Sequence, residues 1–400
     1  MKNKRKFKDL LLQIITYLFS SFGIIILGAI FVFIFIKGGS TLSFNMIKGD
    51  YYQEVYNVKY ENKNTIDLEY KEINNAFYSS RWGIALSDGT NNAGENVVYV
   101  SYIDASSPIK SMKNQSNNES IILQKGYIVT KIVLIDEEDN MIVAISKYKA
   151  EKMISQINKG VTINDMQLTT SGGGIRGSLI TTFILIGLTL IIALPIGIGG
   201  AIYLSEYAKN NKFTAIIRTM IDMSSGIPSV VFGLVGIVIF IPFMNATIGS
   251  NGTSIAAGAL TMAIMLLPII IRTTEESIRA IPQSYRHASL ALGASKTQTI
   301  FKVVIPNAIG GILTSTLLSI GRIIGESAAL IYVMGTAIKD DVFINKNSTS
   351  LAVHMWSIMA GDNPNYAQAS AIAIIILFIV LLLNILVKVI VKKFNKFEVK

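Results

Sequence analysis

The stretch Glu275–Pro306 reads EESIRAIPQSYRHASLALGASKTQTIFKVVIP and lies between two long apolar runs. It is polar, basic and rich in helix formers, with Gly293 near its middle. Ser295 and Gln298 have the spacing of a capping box, which predicts that a second short helix starts after that glycine. The stretch therefore predicts two amphipathic helices that are joined by a tight turn, held against a membrane face, and available to a partner.

The composition assigns the rest of the chain to a membrane. The mean hydropathy is +0.48, and 51% of the residues are hydrophobic while 16% are charged, which excludes an ordinary soluble protein. The absence of cysteine excludes disulfides, thiol catalysis and cysteine metal sites. The net charge is +10, but residues 40–170 hold 13 Lys and Arg against 16 Asp and Glu. The positive excess therefore flanks apolar segments, which indicates membrane topology and argues against nucleic-acid binding.

Six apolar segments predict six membrane spans. The basic N-terminus, Met1–Asp9, precedes the apolar run Leu10–Ile36, which is longer than a signal-peptide core and lacks a small-x-small cleavage site, so it predicts an uncleaved first span. Further spans are predicted at 177–204, 216–243, 255–271, 309–337 and 368–391.

Positive residues mark alternate connections between these spans. The loop Asn245–Thr253 has no charge. Basic residues instead occupy the second-to-third connection, the fourth-to-fifth connection and the chain's end, at Lys209, Lys212, Arg218, Arg272, Arg279, Arg286, Lys296, Lys302, Lys388, Lys392, Lys393, Lys396 and Lys400. By the positive-inside rule, both termini and Glu275–Pro306 are cytoplasmic in a multi-pass protein of the cell membrane.

By the same count, residues 40–170 lie outside the cell and are too long and polar for a simple connection. The acidic run Asp136–Asn140 is typical of a hairpin turn, and Lys147–Lys159 has helical character. The turn lacks the spacing of a calcium loop, so we favour a solvated turn over a calcium site. An extracellular α+β domain at 40–174 is predicted, with strand-like runs at Asn96–Ile103, Ser120–Ile135 and Met141–Ser146.

The cytoplasmic stretch resembles the "EAA loop" of binding-protein-dependent ABC importer permeases. Their pattern is Glu-Ala-Ala-x-x-x-Gly-x9-Ile-x-Leu-Pro. The corresponding residues here are His287, Ala288, Ser289, Gly293, Val303, Val304, Ile305 and Pro306. The resemblance implies that 275–306 docks in a cleft of a cytoplasmic ATPase, although His287 replaces the family's glutamate. We expect a side chain at Gly293 to keep the two short helices from closing.

Two further stretches resemble the permeases of phosphate importers. Ser225–Leu234 is similar to their Gly-x-Pro-Ser-Ile-Val-x-Gly-Leu run, and its Gly226, Pro228 and Gly233 predict a local break and close helix approach within the third span. Gly321–Leu330 is similar to their Gly-Arg-Ala-x-Gly-Glu-Thr-Ala signature. Outside the insertion, the chain therefore resembles the A-type permease subfamily of phosphate-specific ABC importers.

Arg322 and Glu326 lie near the middle of the predicted fifth span, where a lone charge costs several kcal/mol. Their i,i+4 spacing would let them pair on one helix face. One interpretation is a structural ion pair. The other is a substrate pathway in which the arginine fork meets an anion and Glu326 prevents it from holding that anion too tightly. With the resemblance added, we favour the pathway.

The sequence thus predicts an all-α membrane protein with the six-transmembrane-helix type I ABC importer permease fold. The predicted parts are 1–39 (basic terminus and first span), 40–174 (extracellular α+β insertion) and 175–400 (permease domain). The resemblance implies transport of inorganic phosphate with a second permease, two ABC ATPases and an extracellular phosphate-binding protein. Because no P-loop occurs in the sequence, the chain is not itself an enzyme and holds no cofactor, and ATP and Mg belong to the partner ATPase.

Alternatives remain for the substrate and for the class of protein. Another oxyanion, such as molybdate or sulfate, fits the same resemblance. A membrane-anchored sensor or surface protein acting through residues 40–174 is disfavoured, because the longest predicted cytoplasmic stretch is 275–306 and leaves no signalling domain. His287, His354 and the scattered carboxylates form no catalytic or metal-binding pattern.

Overall fold

The structure is a computed structural model that describes residues 2–64, 67–91, 96–170, 172–209, 211–361 and 364–394. The chain forms two compact units. We call Met1–Ile47 with Ile175–Lys400 the helical unit, and Lys48–Gly174 the sheet unit. The terminal lysines Lys396 and Lys400, which support the predicted topology, lie outside the described residues.

Six helical segments of the described residues are long and apolar enough to cross a membrane, in agreement with the predicted number: Leu10–Gly38, Arg176–Tyr207, Ser229–Ile248, Ile255–Arg279, Lys296–Gly325 and Tyr366–Ile390. In chain order the helices are α1 (Lys2–Gly38), α2 (Phe44–Lys48), α3 (Lys149–Ile157), α4 (Arg176–Ile202), α5 (Lys212–Ser224), α6 (Ser229–Val235), α7 (Ile241–Ile248), α8 (Ile255–Arg279), α9 (Gln283–Ala291), α10 (Lys296–Thr299), α11 (Ile305–Gly325), α12 (Ala328–Met334), α13 (Leu351–Met359) and α14 (Tyr366–Phe394). Three π-helical turns extend α4, join α6 to α7, and join α10 to α11, at Tyr203–Tyr207, Gly236–Phe240 and Ile300–Val304.

The third span differs from the prediction of one helix over 216–243. The separate helix α5 precedes it, capped by Asn211, whose side chain accepts a hydrogen bond from the Thr214 amide at 2.9 Å. The span itself begins at Ser229, after Pro228 with extended backbone (φ −57°, ψ 138°). Proline lacks an amide donor and disfavours helical backbone in the residue before it. The predicted break at Gly226 and Pro228 is therefore present, but it lies between α5 and the span and not within the span.

The fifth span, predicted as continuous over 309–337, is interrupted. α11 ends at Gly325, Glu326 has extended backbone (φ −78°, ψ 126°), and α12 follows. The Glu326 Oε1 atom accepts a hydrogen bond from the Ala329 amide at 3.2 Å, which satisfies one of the free amides at the start of α12. Such satisfaction by protein groups makes a break within a membrane span tolerable.

α8 is the central helix of the helical unit. Of its most apolar stretch 56% is buried, compared with 0% of that of α1. Leu185 of α4, Met262 of α8 and Ile323 of α11 belong to one buried cluster. Pro268 within α8 removes one backbone donor from the helix, a feature that membrane helices tolerate when neighbouring helices surround it.

A buried hydroxyl cluster joins the start of α4 to the segment that leads into α13. The Ser178 Oγ atom lies 2.8 Å from His354 Nδ1 and 3.1 Å from Thr349 Oγ1. The Thr181 Oγ1 atom lies 2.7 Å from Ser348 Oγ. Burial lowers the pKa of His354 to about 4, because desolvation disfavours the charged ring. The imidazole is therefore neutral at neutral pH and ties two segments together.

In the sheet unit, nine strands of the described residues form one antiparallel sheet in the order β2-β3-β4-β7-β9-β1-β5-β6, with β8 paired to β7. The strands are β1 (Val55–Tyr60), β2 (Phe77–Ser79), β3 (Ile84–Thr90), β4 (Asn96–Ile103), β5 (Ser111–Asn114), β6 (Ser120–Ile122), β7 (Ile128–Ile135), β8 (Met141–Ile145) and β9 (Thr162–Thr169). α3 buries Met153 and Ile157 in the sheet's core. The fully buried Trp82 donates a hydrogen bond from Nε1 to the Ile157 carbonyl at 2.9 Å.

Several local predictions for this unit are confirmed. β4 matches its predicted run, the acidic run Asp136–Asn140 is the turn between β7 and β8, and α3 lies within Lys147–Lys159. The predicted run Ser120–Ile135 is instead two strands, separated by a turn in which Gly126 has φ +94°. β1 and β9 were not predicted, because Asn, Asp and Gln interrupt their apolar alternation.

Gly233 provides a test of the packing between α6 and α12. A Cβ atom at this position would lie 2.9 Å from the Ala329 carbonyl oxygen. We expect Gly233→Val to destabilise the protein by about 1–3 kcal/mol, because backbone atoms cannot yield as side chains do. Gly226→Ala is the matched control, since its Cβ would meet only the Met223 carbonyl at 3.4 Å. Thermal unfolding in detergent measures both, and equal stability of the two variants would contradict this packing.

Candidate functional site

A cavity of about 190 Å³ lies in the helical unit between α5, α6, α8 and α11. Arg322 and Arg272 are the charged residues of its lining. Ser224 and Ser225 add hydroxyl groups, and Ile221, Phe232, Met265, Pro268 and Ile269 complete an otherwise apolar wall. The cavity therefore combines positive charge with apolar surroundings, an arrangement suited to an anion.

Arg322 is half-buried in the last turn of α11. Carbonyl groups at a helix C-terminus carry partial negative charge, which favours a cation there. Among the residues that the structure describes, its guanidinium makes no ion pair and no hydrogen bond. The Arg322 guanidinium can therefore form an ion pair with a bound anion.

The predicted pairing of Arg322 with Glu326 does not form in the described structure. The i,i+4 rule applies within one helix, but α11 ends at Gly325 and Glu326 is extended. Glu326 directs Oε1 to the Ala329 amide instead. The two residues lie on opposite sides of a helix break, so Arg322 is near a helix end and not in the middle of a continuous span.

Arg272, which sequence reasoning treated only as a topology signal, is engaged by carboxylates. Its Nε donates to Glu276 Oε1 at 3.0 Å, and its Nη1 lies 3.4 Å from Asp222 Oδ1. Asp222 lies on α5, so the guanidinium joins α5 to α8. No local sequence pattern around Arg272 predicts its contact with Asp222, because the two residues lie 50 positions apart.

The hydroxyl groups of the two cavity serines already donate hydrogen bonds to backbone carbonyls. The Ser224 Oγ atom donates to the Met220 carbonyl at 2.7 Å, and the Ser225 Oγ atom donates to the Asp222 carbonyl at 2.6 Å. Such local bonding to a carbonyl three or four residues earlier is a common pattern of serine on helices. In this arrangement the positive groups of the cavity are the two arginines.

A second charge cluster lies beside the cavity at the end of α8. The buried Glu275 carboxylate accepts from Arg218 Nε at 3.0 Å and lies 2.7 Å from Arg279 Nη2. Arg218 also donates from Nη2 to the Leu204 carbonyl at 2.7 Å, within the π-helical turn that ends the second span. This cluster connects α4, α5 and α8.

The stretch that follows α8 forms two short helices and a turn. α9 carries His287, Ala288 and Ser289, and the Ser289 Oγ atom lies 2.9 Å from Thr299 Oγ1 at the end of α10. The predicted capping box is confirmed, with Ser295 Oγ accepting from the Gln298 amide and Gln298 Oε1 accepting from the Ser295 amide. Ile305 and Pro306 begin α11. We call 280–304 the coupling loop.

Gly293 has a different role from the one expected. Its φ is +83°, and a Cβ built there would meet nothing within 4 Å. A side chain would therefore not hold the helices apart. The constraint is the left-handed backbone, which most residues with a side chain adopt at a cost. The adjacent Leu292 is 90% exposed.

Arg286 anchors the coupling loop, although sequence reasoning counted it only as a positive charge. Its side chain is 11% exposed and lies 2.7 Å from Glu206, which is 10% exposed and ends the second span. Arg286 also donates to the Ile281 and Ile278 carbonyls at 2.7 and 2.9 Å. A composition-based reading cannot find this contact, because its partners are 80 residues apart.

The chain belongs to the family of binding-protein-dependent transport system inner membrane components, whose profile matches residues 193–396. It is a multi-pass permease subunit of an ABC importer and not itself an enzyme. The chain is 36% identical over 231 residues to the probable ABC transporter permease protein YqgI of Bacillus subtilis, covering 54% of this chain and 77% of that protein.

The names of two further relatives include a substrate. The phosphate transport system permease protein PstA of Haemophilus influenzae is 32% identical over 239 residues, covering 56% of this chain and 81% of the relative. The phosphate transport system permease protein PstA 1 of Mycobacterium tuberculosis is 34% identical over 197 residues, covering 49% of this chain and 62% of the relative. In each comparison about half of this chain is aligned.

Proposed function

We propose that this permease carries inorganic phosphate and that Arg322 is the cation that meets the anion on its path. The observation that carries the proposal is an arginine with no acidic partner among the described residues, placed on a largely apolar cavity. The similarity to permeases named for phosphate transport supports the choice of anion.

The energetics favour Arg322 over the other groups of the cavity. A charge within a membrane span costs several kcal/mol unless it is compensated, and a helix C-terminus offsets about 0.3–1 kcal/mol of that cost. Arg272 already has Glu276 and Asp222 as partners. An arginine fork can donate two parallel hydrogen bonds to phosphate oxygens. Binding of a passing anion therefore compensates Arg322 temporarily, which is what a transport site requires.

Glu326 takes a different part in this proposal from the one first considered. Its carboxylate orders the first turn of α12 through the Ala329 amide. This hydrogen bond stabilises the interruption between α11 and α12, which places Arg322 at the end of α11. Release of the anion then depends on movement of the helices around the cavity.

Uptake of radiolabelled phosphate by cells that express the complete transporter tests the proposal. We expect Arg322→Gln to lower uptake by about tenfold or more, the size of losing a charged hydrogen bond. Arg322→Lys should retain partial uptake, because it keeps the charge and loses the planar fork. Lys388→Gln is the matched control, since it removes an exposed cation on α14 away from the cavity.

Assembly is checked by co-purification of the ATPase subunit with each variant. Normal uptake by an assembled Arg322→Gln transporter would reject the pathway role. Uptake of radiolabelled phosphate, sulfate and molybdate, each measured separately, identifies the substrate. Transporter-dependent uptake of sulfate or molybdate, with none of phosphate, would favour the alternative oxyanion.

The coupling loop is proposed to dock on the cytoplasmic ATPase. The loop exposes large apolar side chains, which on a protein surface mark interaction sites: Tyr285, Leu290, Leu292 and Phe301. We propose that two ATPase subunits bind ATP and Mg, that a second permease completes the path, and that an extracellular phosphate-binding protein delivers the substrate. These partners follow from the kind of transport system to which the family belongs.

Gly293 tests docking through its backbone. We expect Gly293→Val to lower recovery of the ATPase subunit, because a β-branched residue resists φ near +83°. Gly293→Asn is the matched control, since asparagine adopts left-handed backbone more readily. We expect both variants to insert in the membrane, because the substitution lies outside the apolar spans. Equal ATPase recovery with valine and asparagine would show that the turn does not shape the docking surface.

We further propose that the sheet unit lies outside the cell and that both termini lie inside. The distribution of positive charge in the short connections supports this orientation, because the coupling loop is basic whereas the loop Asn245–Thr253 has no charge. The insertion would then lie on the side from which the substrate-binding protein approaches.

Single cysteines in this cysteine-free chain test the orientation. An impermeant thiol reagent applied to intact cells should label cysteine at Asn117 or Asn251 and leave cysteine at Ser284 unlabelled. All three positions are exposed, so accessibility differs only through the membrane. Permeabilised cells give the control, in which Ser284→Cys reacts. Labelling of Ser284→Cys and not of Asn117→Cys on intact cells would invert the topology.

A further inference from the structure

The end of the second span contacts both helices of the coupling loop through two adjacent residues. We infer that Glu206 and Tyr207 are positioning residues that make this span move with the coupling loop when the ATPases close. The inference rests on the proposed docking of the loop, and it adds a non-covalent route from the ATPases into the helical unit.

The first contact is the ion pair between Glu206 and Arg286 of α9. The Arg286 Nη2 and Nε atoms lie 2.7 and 3.2 Å from the same oxygen, Glu206 Oε1. Both side chains are about nine-tenths buried. Separating a buried pair leaves an uncompensated charge, which is strongly unfavourable. Displacement of α9 therefore displaces Glu206 with it.

Arg286 also joins the loop to the end of the fourth span. It donates to the Ile278 carbonyl on α8 and to the Ile281 carbonyl just beyond it. These carbonyls belong to a helix C-terminus, where free acceptors and partial negative charge favour a cation. One guanidinium thus connects α9, the end of α8 and the end of the second span.

The second contact is made by Tyr207 to α10. Its hydroxyl oxygen lies 3.3 Å from Thr297 Oγ1, and the Lys296 Nζ atom lies 4.9 Å from the centre of its ring. The ring therefore combines a hydrogen bond with a cation–π contact. Because successive residues on a helical turn point in different directions around its axis, adjacent residues can reach two different helices.

The π-helical turn makes this arrangement a distinct feature of the second span. Tyr203–Tyr207 closes the span with one wide turn, and such turns are frequent at functional sites. The same turn offers the Leu204 carbonyl to Arg218, which binds Glu275 on α8. Movement imposed on Glu206 and Tyr207 is thus passed to the helices that border the Arg322 cavity.

The chain's covalent connections alone would give a different result. The coupling loop is continuous only with α8 and α11, so chain connectivity passes a shift of the loop to the fourth and fifth spans. The second span also packs on the loop through Ile198 and Ile202, which contact a cluster that includes Ile281 and Val304. The two polar contacts add directional ties to this non-directional packing, and with them the second span follows the loop. The consequence is measurable as the ratio of phosphate imported to ATP hydrolysed.

The first experiment measures that ratio for the complete transporter in vesicles. We expect Tyr207→Ala to retain ATPase recovery while imported phosphate per ATP falls by about fivefold or more. Tyr207→Phe, which keeps the ring and loses the hydroxyl, should be intermediate. Tyr203→Ala is the matched control, since it removes from the same turn an exposed tyrosine that makes no side-chain hydrogen bond or cation–π contact among the described residues.

The second experiment measures the motion directly with spin labels on introduced cysteines. The pair Tyr203→Cys and Leu292→Cys reports the distance between the span end and the loop tip. The pair Asn251→Cys and Leu292→Cys reports movement of the loop itself. On addition of ATP and Mg, we expect the second distance to change and the first to stay constant. With Tyr207→Ala and Glu206→Gln added, the first distance should change too.

These readouts separate the two ideas. If the Asn251–Leu292 distance never responds to nucleotide in the otherwise unmutated protein, docking by the loop fails, and the positioning role fails with it. If that distance responds, but Tyr207→Ala keeps both a constant span–loop distance and normal phosphate per ATP, only the positioning role is overturned. Loss of ATPase recovery in Tyr207→Ala would also overturn it, because the contacts would then shape docking.

Discussion

Hydrocarbon offers no hydrogen bonds, so every backbone group in an apolar span must be satisfied by the protein itself. This constraint explains why the spans are helices and why their interruptions carry specific partners. The fifth span breaks only where the Glu326 carboxylate accepts from the Ala329 amide. The second span is instead widened by a π-helical turn, whose Leu204 carbonyl is used by Arg218. Arg322 owes its position at a helix end to the first of these interruptions.

The same low polarity controls the charged side chains. Glu275 is shared by Arg218 and Arg279, and Glu206 is held by Arg286, so the buried carboxylates here have cations beside them. Compensation of this kind is expected, because an isolated buried charge is costly. Arg322 differs from these charged residues, because it has no oppositely charged partner among the described residues. Arg322 borders an apolar cavity and has no fixed acidic partner among the described residues. This feature is the basis for proposing an anion path through the helical unit.

Sequence signals were reliable where the physical cause acts over a few residues. The Ser295–Gln298 capping box forms because both hydrogen bonds close within one helical turn. The acidic turn between β7 and β8 forms for the same local reason. The number of spans follows from apolar length alone, since about 20 residues cross the hydrocarbon core. The family could likewise be recognised from the spacing of a short motif around Gly293.

What the sequence could not determine depended on contacts between distant residues. The Arg322–Glu326 pairing required one continuous helix, and the break that prevents it is stabilised by capping of the next helix. β1 pairs with β9 and β5, and β9 also pairs with β7, so these strands depend on distant partners and their weak alternation gave no local signal. The Glu206–Arg286 pair joins residues 80 positions apart. By itself, the sequence determined the class, the number of spans and the local turns. Only the tertiary structure decided which charges meet, because burial and distance select partners that sequence spacing does not encode.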